Sequence, residues 1–271
     1  MQFIRKKAGD LYLRIQRVRS KWKKTGALLQ SAELKKHVPD TRWFGRKSLQ
    51  DMLDQYGMVY VKPDNGSFGK GVFRVERLHP PQVGYQFRIG TSTHHAATFD
   101  KLYEQLQQRT GKRPYLVQRG IHLLTHRKRR FDVRVMVQKN PHGVWETTGM
   151  IGRLGDPRKI VTNYHNGATP MSLSRLMTQH LPSAKQQSFT ARLASLGALA
   201  ARQLETRYPR LKEIGVDVAV DKDLFPWILE INTLPDPFLF RKLNDKRVFR
   251  KIYRYAVSYG RFKRNGRAAS R

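Results

Sequence analysis

Hydrophobic and polar positions change period several times along this chain, and the changes divide it into elements. The run MVYVKP (58–63) and the run VFRVE (72–76) flank the glycine-spaced DNGSFGKG, which predicts a β-hairpin with a flexible tip. FDVRVMVQ (131–138) and VWETTGMIGRL (144–154) are long β-rich runs joined by the turn NPHG, a second antiparallel hairpin. IGVDVAV (214–220) and FPWILEIN (225–232) make a third pair across DKDL. YLVQRGI (115–121) reads as a strand entering a turn, and residues 84–94 alternate weakly. Helical spacing is expected over 20–38 up to Pro39, over Arg46–Tyr56 up to Gly57, and over Phe99–Arg109. The longest helix is expected over 184–206, with Leu193, Leu196, Leu199, Ala200 and Leu204 along its apolar stripe. Tyr12, Ile15 and Val18 predict a further helix at the N-terminal end; Val248, Ile252, Tyr255 and Tyr259 predict one at the C-terminal end. Antiparallel hairpins mixed with helices make an α+β protein. No GxGxxG follows a first strand, so a Rossmann cofactor site is disfavoured.

Charge then changes the picture. The 271 residues carry 53 Lys+Arg against 20 Asp+Glu, a formal charge of +33, and 39% of them are hydrophobic, enough to build a core. Residues 1–24 hold nine basic residues and one acid, and residues 241–271 hold twelve and one, so +19 lies in the two ends. Such a field favours anionic partners: an acidic polymer, an anionic surface or nucleic acid. Nucleic acid has charge alone in its favour, because no base-reading motif is present. Cys is absent, which excludes a disulfide scaffold, a thiolate metal site and a Cys nucleophile. The opening MQFIRKKAGDLYLRIQ threads charges through its apolar residues, unlike a signal peptide. No window approaches the ~20 apolar residues of a membrane span, so a cytoplasmic protein is expected.

Three constellations carry candidate chemistry. Lys62 ends a strand and is followed by Gly66, Ser67, Phe68, Gly69, Lys70 and Gly71. Glycines with a small hydroxyl let backbone N–H groups approach a phosphate, and the lysines supply charge; an ordinary glycine-rich turn is the alternative. Asp217 sits in an apolar strand, and Glu230 and Asn232 lie at i, i+2 on the next, so they share one face. Two carboxylates and an amide oxygen, with no His or Cys, suit a hard cation such as Mg²⁺, with Mn²⁺ also compatible; a structural arginine partner is the alternative. Asp132 and Arg134 repeat the i, i+2 spacing, with Arg153 ending the partner strand. They read either as an internal ion pair or as guanidinium groups gripping a phosphate, with Asn163 as an added donor.

In this order, KPDNGSFGKG, YLVQRGI, FDVRV…GMIGRLG…VTNYHNGA and GVDVAVDKDLFPWILEINTLP resemble the ATP-grasp superfamily, and more narrowly the YheC/YheD family of endospore coat-associated proteins. The resemblance runs from about Ser20 to Phe240. It implies two α+β lobes with antiparallel sheets gripping ATP, here expected over 20–115 and 116–240 between basic ends at 1–19 and 241–271. It further implies that Lys21 and Lys62 bind nucleotide, that Gly66–Gly71 close over the triphosphate, and that Gln118, Arg119, Gly120 and Ile121 form the hinge beside adenine. Asp132 falls with the nucleotide-binding set. Asp217, Glu230 and Asn232 match Mg²⁺ ligands, and Arg134, Arg153 and Asn163 fall near the γ-phosphate and acyl intermediate. The implied activity is an ATP- and Mg²⁺-dependent carboxylate–amine ligase using small-molecule or peptide substrates. The alternative is a nucleotide-binding coat or assembly component whose basic ends dock on anionic partners.

Overall fold

Val133, Val135 and Val137 point to one side of their strand and Met136 to the other, and both sides are buried, so the polar Asp132, Arg134 and Gln138 that alternate with the valines need partners inside the protein. The computed structural model describes residues 15–162 and 164–263. In chain order the elements are α1 (Lys21–Leu28), α2 (Ala32–Lys35), β1 (Thr41–Trp43), α3 (Arg46–Tyr56), β2 (Met58–Pro63), β3 (Phe73–Arg77), β4 (Tyr85–Ile89), β5 (Ser92–Ala96), α4 (Phe99–Thr110) and β6 (Tyr115–Arg119). There follow β7 (Thr125–His126), β8 (Arg129–Lys139), β9 (Trp145–Leu154), β10 (Thr169–Met171), α5 (Leu173–Met177), α6 (Ser183–Arg207), β11 (Glu213–Val220), β12 (Pro226–Asn232) and α7 (Lys246–Ser258).

Two antiparallel sheets organise the molecule. The first has the order β1-β6-β2-β3-β4-β5, and the second has β10-β9-β8-β11-β12, with β7 pairing β8 at the side. Leu49, Met52 and Leu53 of α3, with Leu102 and Leu106 of α4, cover Val59, Val61, Phe73, Val75 and Phe87 of the first sheet. One face of the second sheet packs on α6 through Leu193, Ala200 and Leu204, joined by Ala27 and Leu28 of α1. Its other face is closed by Leu239, Phe240 and Ile252 against Met136 and Ile151. Burying these side chains is the main stabilising term, at about 1.5–3 kcal/mol each.

Most expected elements form, and the departures have local causes. The single helix expected over 20–38 splits, because the Ser31 hydroxyl accepts the Leu34 N–H and starts a new helix at Ala32. The weak alternation over 84–94 is two strands, β4 and β5, turned at Gly90 (φ 59°). The basic N-terminal helix is corrected for residues 15–19, which are not helical. Gln16 N–H donates to the Arg210 carbonyl and Val18 N–H to Thr233 Oγ1, so backbone donors that a helix would use are taken by the body of the protein. Tyr12 lies outside the described residues. At the other end α7 forms as expected, with Ile252 and Tyr255 buried and Tyr259 capping its C-terminus.

Candidate functional site

Lys21 and Lys24 reach one place because of how α1 begins. Ser20 caps the helix and accepts from Lys23 N–H, while Asp64, just after β2, accepts from the Ser20 hydroxyl at 2.9 Å and from Trp22 N–H at 2.8 Å. The helix start is thereby fixed to the end of β2. Lys21 and Lys24 are three residues apart, so they share the inner face, and both are buried. Lys62, one residue before the end of β2, joins them. Its ammonium donates to Gln118 Oε1 at 2.8 Å and to the Leu229 carbonyl at 3.0 Å. Burial pushes Lys62 down to about 8 and lowers Lys24 too, with the Glu230 carboxylate acting in the opposite direction. Lys21 Nζ lies 3.7 Å from Glu230 Oε1 and donates to the Gly66 carbonyl at 3.2 Å. Three ammonium groups therefore lean chiefly on one carboxylate, with Asp64 and Asp217 acting more weakly. Burying that much like charge is costly without an anion between the groups.

These side chains face a cleft of about 810 Å³ between the two sheets, within the usual ~300–1,000 Å³ of small-molecule sites. Lys21, Lys24, Lys62, Gly66, Ser67, Phe68, Gly69, Lys70, Gln118, Arg119, Ile121, Asp132, Arg134, Arg153, Asp217, Glu230 and Asn232 line it, whereas Gly71 and Gly120 do not. Ten basic and four acidic side chains face the cleft. Asn163 lies outside the described residues; Thr162 and Tyr164, on either side of it, line the cleft.

The glycine hairpin turns through left-handed backbone at Phe68, Gly69 and Gly71 (φ 59°, 70° and 71°). At Gly71 a Cβ would come within 2.8 Å of the Tyr115 hydroxyl, so the loop base accepts only glycine without rearrangement. Residues 65–68 are exposed, and Asn166 Nδ2, from the helical turn between β9 and β10, donates to the Phe68 carbonyl at 2.6 Å. With so little packing, limited proteolysis is expected to cut within Asn65–Lys70 in the ligand-free protein and to slow when MgATP is added. Equal cutting rates in the two states would count against a lid.

At the crossing from the first sheet to the second, Gln118 spends its carboxamide on Lys62 and on Thr41 Oγ1. The Arg119 guanidinium carbon stands 5.1 Å from the Tyr56 ring centre and 4.8 Å from that of Trp227, so an arginine stacked on two rings ties the sheets together. The Arg119 and Gly120 N–H groups donate to the Asp40 and Met58 carbonyls; Gln118, Arg119 and Ile121 line the cleft and Gly120 does not.

Across the second sheet the register builds a ladder of charge on one face. Asp132 stands opposite Arg153, Arg134 opposite Asp217, and Asp217 opposite Glu230, while Asn232 pairs with Gly215. Arg153 grips Asp132 in a fork, Nε–Oδ1 at 2.8 Å and Nη2–Oδ2 at 2.5 Å, and also lies 3.1 Å from Asp217 Oδ2. Arg134 holds Asp217 through Nε at 2.5 Å and Nη2 at 3.1 Å, and Asn232 Nδ2 donates to the same carboxylate at 3.3 Å. Burial alone would raise the Asp217 carboxyl, but Arg134 and Arg153 together hold it down at about 2. Both Asp217 oxygens are thus committed to donors. Glu230, whose side chain is 26% exposed, and Asn232 line the cleft beside Asp217. The ion-pair reading and the anion-grip reading of the arginines describe one cluster, since the paired guanidiniums also line the cleft.

Lys24 was not among the residues singled out from sequence, although its spacing from Lys21 in SKWKK was visible. The other omission is the segment Arg17–Arg19, which lines the cleft as an extended strap. Arg17 reaches Glu213 Oε1 at 2.8 Å and the Thr233 carbonyl. No sequence periodicity marks a strap of this kind.

Among known proteins, the family model described as YheC/D like ATP-grasp matches residues 14–262. Two curated relatives from Bacillus subtilis (strain 168) are each 24% identical. Endospore coat-associated protein YheD aligns over 77% of this chain and 47% of its own length; endospore coat-associated protein YheC aligns over 79% and 59%. The chain thus spans about half the length of the curated relatives it matches. Among solved structures, the C-terminal domain of K. lactis Pby1, an ATP-grasp enzyme interacting with the mRNA decapping enzyme Dcp2, superposes with a TM-score of 0.51 at 14% identity, covering 92% of this chain and 76% of that one. The D-alanine-D-alanine ligase from Coxiella burnetii gives 0.50 at 13% identity, covering 88% and 57%. Two α+β lobes built on antiparallel sheets are the ATP-grasp fold, and with a family match over most of its length this chain is a member of the YheC/D-like ATP-grasp family.

Proposed function

We propose that the chain is an ATP-dependent ligase that joins a carboxylate to an amine through an acyl-phosphate. The observation that carries this reading is the group of three buried ammoniums, Lys21, Lys24 and Lys62, sharing Glu230 at the floor of the cleft. A triphosphate supplies the anion that this cluster lacks. In the proposed reaction a substrate carboxylate oxygen attacks the γ-phosphorus and the bond to the β-phosphate oxygen breaks, releasing ADP. The amine then attacks the acyl carbon, phosphate leaves, and the amine proton passes to solvent. The protein's part is positioning and charge neutralisation.

Residue roles follow from place. Lys21, Lys24, Lys62 and Lys70 hold the triphosphate beneath the Gly66–Gly71 hairpin. Ile121, at the crossing between the sheets, lies beside the base. Arg134 and Arg153, kept in position by Asp132 and Asp217, face the transferred phosphoryl group, and Asn163 is an added donor. Mg²⁺ or Mn²⁺ would be held by Glu230 and Asn232 beside Asp217, where it neutralises phosphate charge. The endospore coat-associated relatives from Bacillus subtilis support a place at the spore coat, and in this reading the chain acts in the cytoplasm with its basic ends docking on anionic partners. No helix among the described residues is long and apolar enough to cross a membrane.

Incubation with MgATP and pooled amino acids and acidic peptides, followed by mass spectrometry, tests the reading. ADP and phosphate release that depends on the acceptor, with a product lighter by one water than its parts, is the expected result. ATP binding without acceptor-dependent ADP release would replace the ligase by a nucleotide-binding assembly component.

A further inference from the structure

We infer that the second substrate is an acidic polypeptide and that it docks beside the cleft mouth, on the face formed by the segment Phe238–Lys242 and α7. The nature of the reaction rests on the ligase reading; the docking does not.

The first observation is the charge left over in the cleft. The four lysines answer a triphosphate, and Arg134, Arg153, Asp132 and Asp217 neutralise one another. Arg19 and Arg130 line the same space and have no carboxylate partner among the described residues. MgATP carries too little negative charge to satisfy the whole set, so the second ligand brings more.

The second observation is the surface next to that opening. Leu234, two residues beyond Asn232, is 63% exposed, and Phe238 is 41% exposed. Phe238 lies 6.0 Å from the Phe249 ring and 5.7 Å from that of Phe262, and Tyr253 stacks on Phe262 at 5.2 Å. The Arg241 guanidinium covers Phe238 and Phe249 at 4.8 and 4.7 Å. On this segment and helix Arg241, Lys242, Arg250 and Arg254 are exposed, and the nearby acids, Asp245 beside Arg250 and Glu146 beside Arg254, are already engaged by Arg247 and Lys251. Asp245 is the N-cap of this helix and holds Arg247, and Glu146 of β9 accepts from Lys251 and Tyr255. Apolar rings framed by an excess of exposed cations complement a chain that alternates acidic and apolar side chains.

The third observation is that this face is fixed to the cleft wall. Tyr259 and Arg261, just past α7, donate to Glu213 at 2.8 and 2.6 Å. The same carboxylate holds Arg17, whose other nitrogen donates to the Thr233 carbonyl next to Asn232. A peptide on α7 is therefore held at a set position relative to the reacting end of the cleft. Nucleic acid suits this face less well. Arg241 lies over Phe238 and Phe249 and Tyr253 stacks on Phe262, which leaves less ring surface for bases, and a phosphodiester chain brings no carboxylate to activate.

The test is fluorescence anisotropy with labelled short poly-L-glutamate, its neutral poly-L-glutamine analogue and a single-stranded oligonucleotide, on the full chain. The parent should bind poly-L-glutamate and not poly-L-glutamine. The double variant Lys242→Glu/Arg250→Glu, which alters two exposed side chains outside the cleft, should weaken that binding by ~10-fold or more and leave ATP affinity unchanged. Equal affinity in parent and variant would overturn the docking surface. Tighter binding of the oligonucleotide, lost in the same variant, would also overturn it and give the face to nucleic acid. Peptide binding that follows the charge, without peptide-dependent ADP release, would uphold the docking and refute the ligase instead.

Discussion

Replacing Lys62 with methionine is expected to weaken ATP binding by about 100-fold, roughly 3 kcal/mol, the scale of a charged hydrogen bond to phosphate in a dry site. Methionine keeps most of the stem volume, so the comparison isolates the ammonium. The ligand-free fold should melt within ~3 °C of the parent, because losing a costly buried charge offsets the bonds lost to Gln118 and Leu229. The pH dependence gives a second readout. Burial holds Lys62 at about 8 in the folded protein, below the ordinary 10.5 that it regains on unfolding. Between these values the unfolded chain binds a proton that the folded one does not, so this group makes stability rise with pH across about 8 to 10.5. Binding of a triphosphate needs the ammonium, so ATP affinity should fall as pH climbs through 8, and binding at pH 9 should take up a proton. Lys24, lowered in the same direction, adds a smaller part. Titration calorimetry in two buffers of different ionisation enthalpy measures the uptake. Unchanged affinity and unchanged proton uptake in the variant would remove Lys62 from the site.

How much of this site was legible in the chain depends on whether a contact is local. The hairpin from Lys62 to Gly71 could be read because its strands are adjacent in sequence and its glycines mark the turn. Glu230 and Asn232 could be placed on one face because strand periodicity fixes it, and the DKDL turn brings them back to Asp217. The grip of Arg134 on Asp217 was not legible: it depends on β8 and β11 pairing in a particular register although α6 lies between them in sequence. A one-residue slip would have sent Arg134 to the opposite face. The strap at Ile15–Val18 was misread for a related reason. Ile15 and Val18 have helical spacing, but hydrogen bonds to Thr233 and Arg210, distant in sequence, decide the backbone. Local pattern sets an element only where no remote partner competes for its donors.

That remote context also reverses the sign of one expectation for Glu230→Gln. Read from sequence, Glu230 is a poorly hydrated carboxylate at the end of PWILEIN, and neutralising it would relieve the fold unless it has a structural partner. In the folded protein Lys21 lies 3.7 Å away, and the same carboxylate offsets the burial of Lys24 and Lys62. The change therefore removes the strongest counter-charge of Lys24 and Lys62 and leaves the weaker influence of Asp64 and Asp217. The ligand-free protein should lose about 1 kcal/mol, a small figure because the Glu230 side chain is 26% exposed and solvent screens it. Lys62 should titrate lower still, so the pH at which ATP affinity falls moves down with it. ATP without metal should bind the variant no worse than the parent, since a negative charge beside the phosphates has gone. The gain in affinity that Mg²⁺ gives the parent should vanish, and acceptor-dependent ADP release should drop by ~1,000-fold or more, the scale seen when transition-state charge stabilisation is removed. Calorimetry of ATP binding with and without Mg²⁺, run beside melting curves of the ligand-free proteins, separates the roles. A lower melting temperature with Mg²⁺-coupled binding intact would make Glu230 a counter-ion of the lysines alone and move the cation elsewhere; loss of the coupling, with metal-free binding retained, would place it on Glu230.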